Sequence, residues 1–187
     1  MKRIAIVGNI ASGKSRAEHI ISGAGYKTLC ADMVVHILYT KPEVQGKIYD
    51  TFETIDRHEI SSVVFSDNAK KQELEAILHP LVKDEIIDFF EKNKEEKLVF
   101  VAVPLLFEAK MEDLFDYIIF ISADEKIRLN RLMARNKISE KEAKERINAQ
   151  KPESEKISKS NFVVENNSSL DELKNNLQKV LDKLNED

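Results

Sequence analysis

The sequence predicts an α/β fold with a mainly parallel five-stranded sheet flanked by helices. Two observations lead there. Short apolar runs rich in β-branched and aromatic residues alternate with longer amphipathic stretches, the order that builds a parallel sheet covered by helices. The runs are nearly unbroken rather than alternating, which implies burial on both faces.

The strands follow in chain order. Arg3 to Val7 (RIAIV), Leu98 to Val103 (LVFVAV) and Tyr117 to Ile121 (YIIFI) are the strong ones, and Lys27 to Cys30 (KTLC) and Asn161 to Glu165 (NFVVE) the weak ones. The strand-poor region from about Asp32 to Lys97 reads as a helical substrate-binding insertion. Within it Leu74, Ile77, Leu78, Leu81 and Val82 recur at helical spacing, continued by Ile86, Phe89 and Phe90. Pro80 falls inside this stretch and is expected to break or kink it near His79. Leu170, Leu173, Leu177, Leu181 and Leu184 form a second stripe. Ser122 with Glu125, Ser139 with Glu142 and Ser169 with Glu172 have capping-box spacing and mark three helix starts.

The chain has 187 residues, 42% hydrophobic and 33% charged, which suits one domain with a packed core. Its net charge of −4 argues against nucleic acid as a partner, so any bound anion must be held by a local positive cluster. Cys30 is the only cysteine, which excludes an intrachain disulfide and suggests a buried packing thiol. No stretch reads as a signal peptide or a membrane span, so a soluble cytoplasmic protein is expected, as a monomer or small homo-oligomer.

The stretch GNIASGKS, Gly8 to Ser15, directly follows the first strand and precedes an amphipathic stretch with Ala17, Ile20 and Ile21. Gly8-x4-Gly13-Lys14-Ser15 is the P-loop pattern. A phosphate tail needs several backbone N–H groups pointing inward, which bulky side chains hinder, and the amides of a helix N-terminus complete the cradle. Lys14 brings a charge to the β- and γ-phosphates, and the Ser15 hydroxyl is the residue for Mg²⁺. The motif therefore predicts a nucleotide, ATP or GTP, and leaves the phosphate acceptor open.

Phosphoryl transfer also needs a group that orients the incoming hydroxyl. Asp32, just after the second strand, is a candidate for that task or for water-mediated metal binding, and equally for a helix N-cap. Arg128, Arg131 and Arg135 share one helix face, followed by Lys137, Lys141, Lys144 and Arg146. This basic pair of helices reads either as a solvated face or as a lid that brings arginines onto phosphates and excludes water. His79 is either structural or part of a pocket wall shaped by Pro80. Pro104 ends the third strand at the ligand-binding side, and Glu108 is either a substrate contact or a turn cap.

Together these residues resemble the dephospho-coenzyme A kinases over nearly the whole chain. The resemblance rests on GNIASGKS, Ala31-Asp32, Asp56-Arg57 followed by Val64-Phe65, LHPLV (Leu78 to Val82) and PLLFE (Pro104 to Glu108). It continues through RLMARNKISEKEAKERINAQKP (Arg131 to Pro152) and NFVVEN (Asn161 to Asn166). It implies a P-loop kinase fold in one domain. About 1–31, 98–127 and 157–187 form the core, about 32–97 the helical acceptor-binding region, and about 128–156 the lid. It implies an enzyme that uses ATP and Mg²⁺ to phosphorylate the ribose 3′-hydroxyl of dephospho-coenzyme A.

The resemblance also implies site residues. Asp32 activates the hydroxyl, and Lys14 and Arg135 stabilise the transferring phosphoryl. ATP lies on Gly8, Asn9, Ile10, Ala11, Ser12, Gly13, Lys14, Ser15 and Arg16, with Asn166 toward the adenine end. The acceptor side comprises Asp32, Arg57, His79, Pro80, Leu105 and Glu108, and the lid carries Arg131, Arg135 and Arg146. Five positions depart from the family pattern. Asn9 and Ala11 stand where glycines are usual, Cys30 and Ala102 where carboxylates are frequent, and Arg16 replaces a common Thr. Ala11 raises the question whether the loop needs a positive φ there. Other readings of the same loop are a kinase of nucleosides, nucleotides or shikimate, and a nucleotide-binding switch.

Overall fold

The computed structural model describes residues 1–186. Five strands form one sheet in the order β2-β3-β1-β4-β5. They are β1 (Lys2–Val7), β2 (Lys27–Cys30), β3 (Leu98–Ala102), β4 (Tyr117–Ser122) and β5 (Phe162–Glu165). β1 is central and pairs in parallel with β3 (Ile4 with Phe100) and with β4 (Ile6 with Ile119), and β4 pairs in parallel with β5. Every residue of β3 is buried, as an unbroken apolar run requires.

The chain divides into two compact units, Met1–Leu29 with the chain from Lys92 onward, and Cys30–Glu91. In the first, α1 (Lys14–Gly23) and α9 (Leu170–Glu186) cover the sheet. Ile21, Leu173, Leu177 and Leu181 join Ile4, Ile6 and Phe100 in one apolar core. Two further helices, α6 (Glu125–Asn136) and α7 (Glu140–Asn148), follow β4, and the short α8 (Glu153–Ile157) precedes β5. The second unit is helical: α2 (Ala31–Leu38), α3 (Pro42–Phe52), α4 (Arg57–Ser66) and α5 (Asn68–Lys92). Asp56 caps α4 by accepting from the amides of His58 and Glu59.

Three sequence expectations change here. Pro80 does not break its helix, because α5 runs from Asn68 to Lys92 as one element. Proline lacks an N–H and its ring crowds the carbonyl four residues back, but the burial of Leu78 before it and Val82, Ile86 and Phe90 after it holds both halves on one stripe. Ser122 is no helix cap: it is the last residue of β4, and its hydroxyl donates to Glu153 Oε1. The start of α6 is held instead by Asp124 and Asn167. The Asp124 amide donates to Asn167 Oδ1 at 2.8 Å, and Asn167 Nδ2 donates to Asp124 Oδ1 at 3.0 Å. Cys30 is half-buried, because it ends the edge strand β2. Of the other two capping boxes, Ser139–Glu142 is complete, and at the start of α9 Ser169 Oγ accepts from the Glu172 amide at 3.2 Å.

The entry to β4 is tied back to β1 by one ion pair. Arg3 donates through Nη2 to Asp116 Oδ1 at 2.7 Å, through Nε to Oδ2 at 3.1 Å, and through its amide to Oδ2 at 2.7 Å. The Arg3 guanidinium hydrogen bond holds the Asp116 carboxyl below the usual carboxylate range, against a partial desolvation that pushes it up. A depressed carboxyl stabilises the fold above its unfolded value and loses that contribution as pH falls through its folded value. Both side chains are about a third exposed, so solvent screening keeps the contribution to about 0.5–1 kcal/mol. Asp116→Asn should therefore lower stability by about that amount at pH 7 in urea titrations. The gap to the unmodified chain should shrink as pH falls through the usual carboxylate range and close only below the depressed value of the folded Asp116 carboxyl.

Candidate active site

The site is built where β1 leaves the sheet. Gly8 follows β1 in a place with no room for a side chain: a Cβ there would lie 2.5 Å from Ser12 Oγ and 2.8 Å from the Ile121 carbonyl oxygen. The loop then turns through two left-handed residues, Ala11 (φ 62°) and Gly13 (φ 99°), before α1 begins at Lys14. So the loop does use a positive φ at position 11, and an alanine pays the steric cost that a glycine avoids.

Among the described residues, this path leaves the amides of Ala11, Gly13, Lys14 and Ser15 without an acceptor, while those of Arg16 and Ala17 bond the Gly13 carbonyl. Lys14 Nζ and Ser12 Oγ are buried with no hydrogen-bond partner. A buried ammonium without a counter-charge beside free, helix-terminal amides fits a polyanion such as a nucleotide's phosphates.

Three side chains hold the loop open. Asn166, directly after β5 and 8% exposed, donates through Nδ2 to the Ser12 carbonyl at 2.7 Å. Arg131 on α6 donates to the Asn166 carbonyl at 3.0 Å and reaches the Ser12 carbonyl at 3.4 Å. Gln150 Oε1 accepts from the Ile10 amide at 2.7 Å. Gly13 must be glycine for a second reason, since a Cβ there would come within 2.1 Å of Asn166 Nδ2.

The helix pair α6–α7 packs on the same loop. Leu132, Ala143 and Ile147 form a small core against which Ile10 and Ala11 pack. On α6 the three arginines have different fates. Arg128 is 5% exposed, donates through Nε to the Ala123 carbonyl at 3.0 Å, and faces Glu153 at 3.6 Å. Arg131 serves the loop. Arg135 is exposed and donates to the neighbouring Asn136 Oδ1 at 2.9 Å. Arg146 on α7 is also exposed. A polar cavity of about 580 Å³ lies against this assembly, lined by Asn9, Ser122, Arg128, Gln150 and Glu153 among others. Its size suits a small ligand.

Two further sequence candidates take definite places. Glu108, in the turns after β3, does not cap a backbone amide: its Oε1 pairs with Lys156 Nζ at 2.9 Å, a stronger, charge-assisted partner. Leu105 in the same segment is 44% exposed.

In the second unit, Asp32 sits exposed in the first turn of α2 with no partner among the described residues, while Cys30 takes the N-cap position. The N-cap reading of Asp32 therefore fails, because helix entry comes two residues earlier. Arg57 Nη1 lies 2.7 Å from His36 Nδ1, and its guanidinium lies 4.8 Å from the centre of the Tyr39 ring. Arginine only donates, so His36 Nδ1 is the acceptor and the ring carries its proton on Nε2. His79 is half-buried and Pro80 exposed on α5.

Gln150, Glu153 and Lys156 are site residues that sequence reasoning did not single out. Gln150 lay within the stretch RLMARNKISEKEAKERINAQKP. Lys156 gave no signal, since a lysine in a charged helix reads as solvated. Ser15 is exposed on the first turn of α1, and among the described residues no group of three His, Cys, Asp or Glu could hold a metal ion.

An amide cradle at the mouth of the central parallel strand, clamped by an arginine-bearing helix, defines the P-loop kinases. Comparisons agree. A family model described as CoaE, dephospho-CoA kinase, matches residues 2–172. Dephospho-CoA kinase from Oceanobacillus iheyensis is 34% identical over 97% of this chain and 97% of its own length. That from Rickettsia prowazekii is 34% identical over 100% and 97%. A crystal structure from Thermus thermophilus superposes with a TM-score of 0.86 at 33% identity, covering 98% of this chain and 97% of the other. Dephospho-CoA kinase from Campylobacter jejuni gives 0.72 at 29% identity, covering 97% and 96%. The chain belongs to the dephospho-CoA kinase family. Shikimate kinase from Acinetobacter baumannii, at 13% identity and a TM-score of 0.60, shares the fold.

The left-handed alanine generates one prediction. Ala11→Gly should raise stability by about 0.5–1 kcal/mol, because relief of the αL penalty exceeds the added chain entropy. Urea titration of the full chain measures it.

Proposed function

We propose that the protein catalyses ATP-dependent phosphorylation of the ribose 3′-hydroxyl of dephospho-CoA, giving CoA and ADP. The observation that carries this reading is the buried, unpartnered Lys14 ammonium beside the free amides of Ala11, Gly13, Lys14 and Ser15, in a chain of this family. The cradle binds the triphosphate through those amides, and Lys14 offsets charge on the oxygens of the moving phosphoryl group.

Asp32 accepts the proton of the attacking hydroxyl. Its support is chemical: it is an exposed carboxylate, free of caps and ion pairs, at the start of the helix that follows β2. Arg135, exposed on α6 and hydrogen-bonded to its neighbour Asn136, contributes a second positive charge to the transferring group. Arg57, with its guanidinium fixed by His36 and Tyr39, receives an anionic or polar part of the acceptor, together with His79, Pro80 and Leu105. Mg²⁺ would be held by Ser15 Oγ with phosphate oxygens and water, and when bound it neutralises phosphate charge. Closure of α6 and α7 around the nucleotide excludes water that would otherwise take the phosphoryl group.

The deciding experiment is ADP release with ATP across a panel of acceptors, with the product's phosphorylation site determined. Turnover with dephospho-CoA and phosphate on the 3′-oxygen is expected. Turnover only with a nucleoside, a nucleoside monophosphate or shikimate would replace this reading, and slow ATP hydrolysis indifferent to acceptors would make the chain a nucleotide switch. Two variants test the roles. Lys14→Ala should lower kcat by about 100- to 1,000-fold. Asp32→Asn should lower kcat at least as much as a lost general base does, about 100-fold, with ATP KM and melting temperature nearly unchanged.

A further inference from the structure

Outside the phosphate loop, the strongest unexplained feature is a buried lysine. Lys156 on α8 is 2% exposed, and its ammonium donates to Glu108 Oε1 at 2.9 Å. The second Glu108 oxygen, Oε2, is buried and has no hydrogen-bond partner. Buried acceptors in native proteins are rarely left in that state, because the lost hydration is not recovered.

The helix that carries Lys156 grips two strand ends. Glu153, three residues earlier and on the same face, takes the Ser122 hydroxyl at the end of β4 and faces Arg128 Nη2 at 3.6 Å. Lys156 takes Glu108 in the segment after β3. β3 and β4 are the strands on either side of β1, whose exit is the phosphate loop. A methionine at 156 would fill similar space without burying a charge. The ammonium therefore does something packing alone does not require.

We propose that Lys156 is a positioning residue for the phosphoryl acceptor. By occupying Glu108 Oε1, it fixes the carboxylate and leaves Oε2 as the acceptor for a hydroxyl or amide N–H of the incoming substrate. This rests on the reading of the chain as a dephospho-CoA kinase. It adds that the acceptor side is set from α8, whose Glu153 also lines the cavity beside the phosphate loop, through one buried ion pair.

Steady-state kinetics of the full chain with ATP and dephospho-CoA test it, with melting temperatures measured in parallel. Lys156→Met and Glu108→Gln should each raise the KM for dephospho-CoA at least tenfold and leave the KM for ATP within twofold. The double variant should be no worse than the poorer single one, since both act through one contact. An acceptor KM within twofold of the unmodified chain, a parallel rise in both KM values, or additive losses in the double variant would each overturn the proposal. If Lys156→Met does not fold, Glu108→Gln carries the same comparison, and there too an unchanged acceptor KM overturns it. No turnover of dephospho-CoA by the unmodified chain overturns the functional reading and this one together. Turnover by the unmodified chain with unchanged acceptor KM in the variants overturns this one alone.

Discussion

The hydrogen bond from Asn166 Nδ2 to the Ser12 carbonyl is the contact on which the rest of the site depends. A loop that turns its amides toward a ligand must turn carbonyls elsewhere, and each buried carbonyl needs a donor. Asn166 and Arg131 supply donors at Ser12, and Gln150 takes the Ile10 amide that the cradle does not use. Two left-handed residues in three positions are costly, and such strain persists only where surrounding contacts over-determine it. Those contacts come from three places in the chain: the residue after β5, the middle of α6 and the segment after α7. The loop's shape is thus a property of the whole first unit.

The electrostatics follow the same logic. A chain with a net charge of −4 binds a polyanion by arranging a few positive groups rather than by bulk attraction. Lys14 is kept without an acidic partner, so its charge is available to a ligand. Arg128 and Lys156 are buried as well, but each faces a carboxylate, Glu153 and Glu108 respectively, so both act within the scaffold. Burial alone does not mark a functional cation; the difference lies in whether the protein supplies the counter-charge.

The legible parts of the sequence were those with a local, repeating cause. Apolar runs located all five strands, and the spacing of Gly8, Gly13, Lys14 and Ser15 located the cradle. What stayed hidden depended on partners far along the chain. Ser122 with Glu125 matched a cap pattern, yet Glu153 offered the hydroxyl a better acceptor. Pro80 carries a local penalty that the burial of Leu78 and Val82 overrides. Lys156 looks like any surface lysine until Glu108 is beside it. Ala11 is intermediate: the sequence raised the question of its φ, and only backbone geometry answered it. Among the acceptor-side candidates, Arg57 was readable as a motif, but its fixing by His36 and Tyr39 was not, since those contacts span 21 and 18 positions.

The central position of β1 has a consequence for what the chain tolerates in length. Its residues are matched one to one with β3 on one side and β4 on the other, Ile6 with both Ala102 and Ile119. Inserting or deleting one residue in β1 would move its side chains to the opposite faces of the sheet. It would also shift Gly8 by about 3.3 Å, away from the narrow place between Ser12 and Ile121. Neither neighbour can slide to compensate without breaking its own outer pairing. Changes of length are therefore absorbed at the ends of α9 or in the connection between α6 and α7, while the few residues between Met1 and Gly8 hold a fixed count.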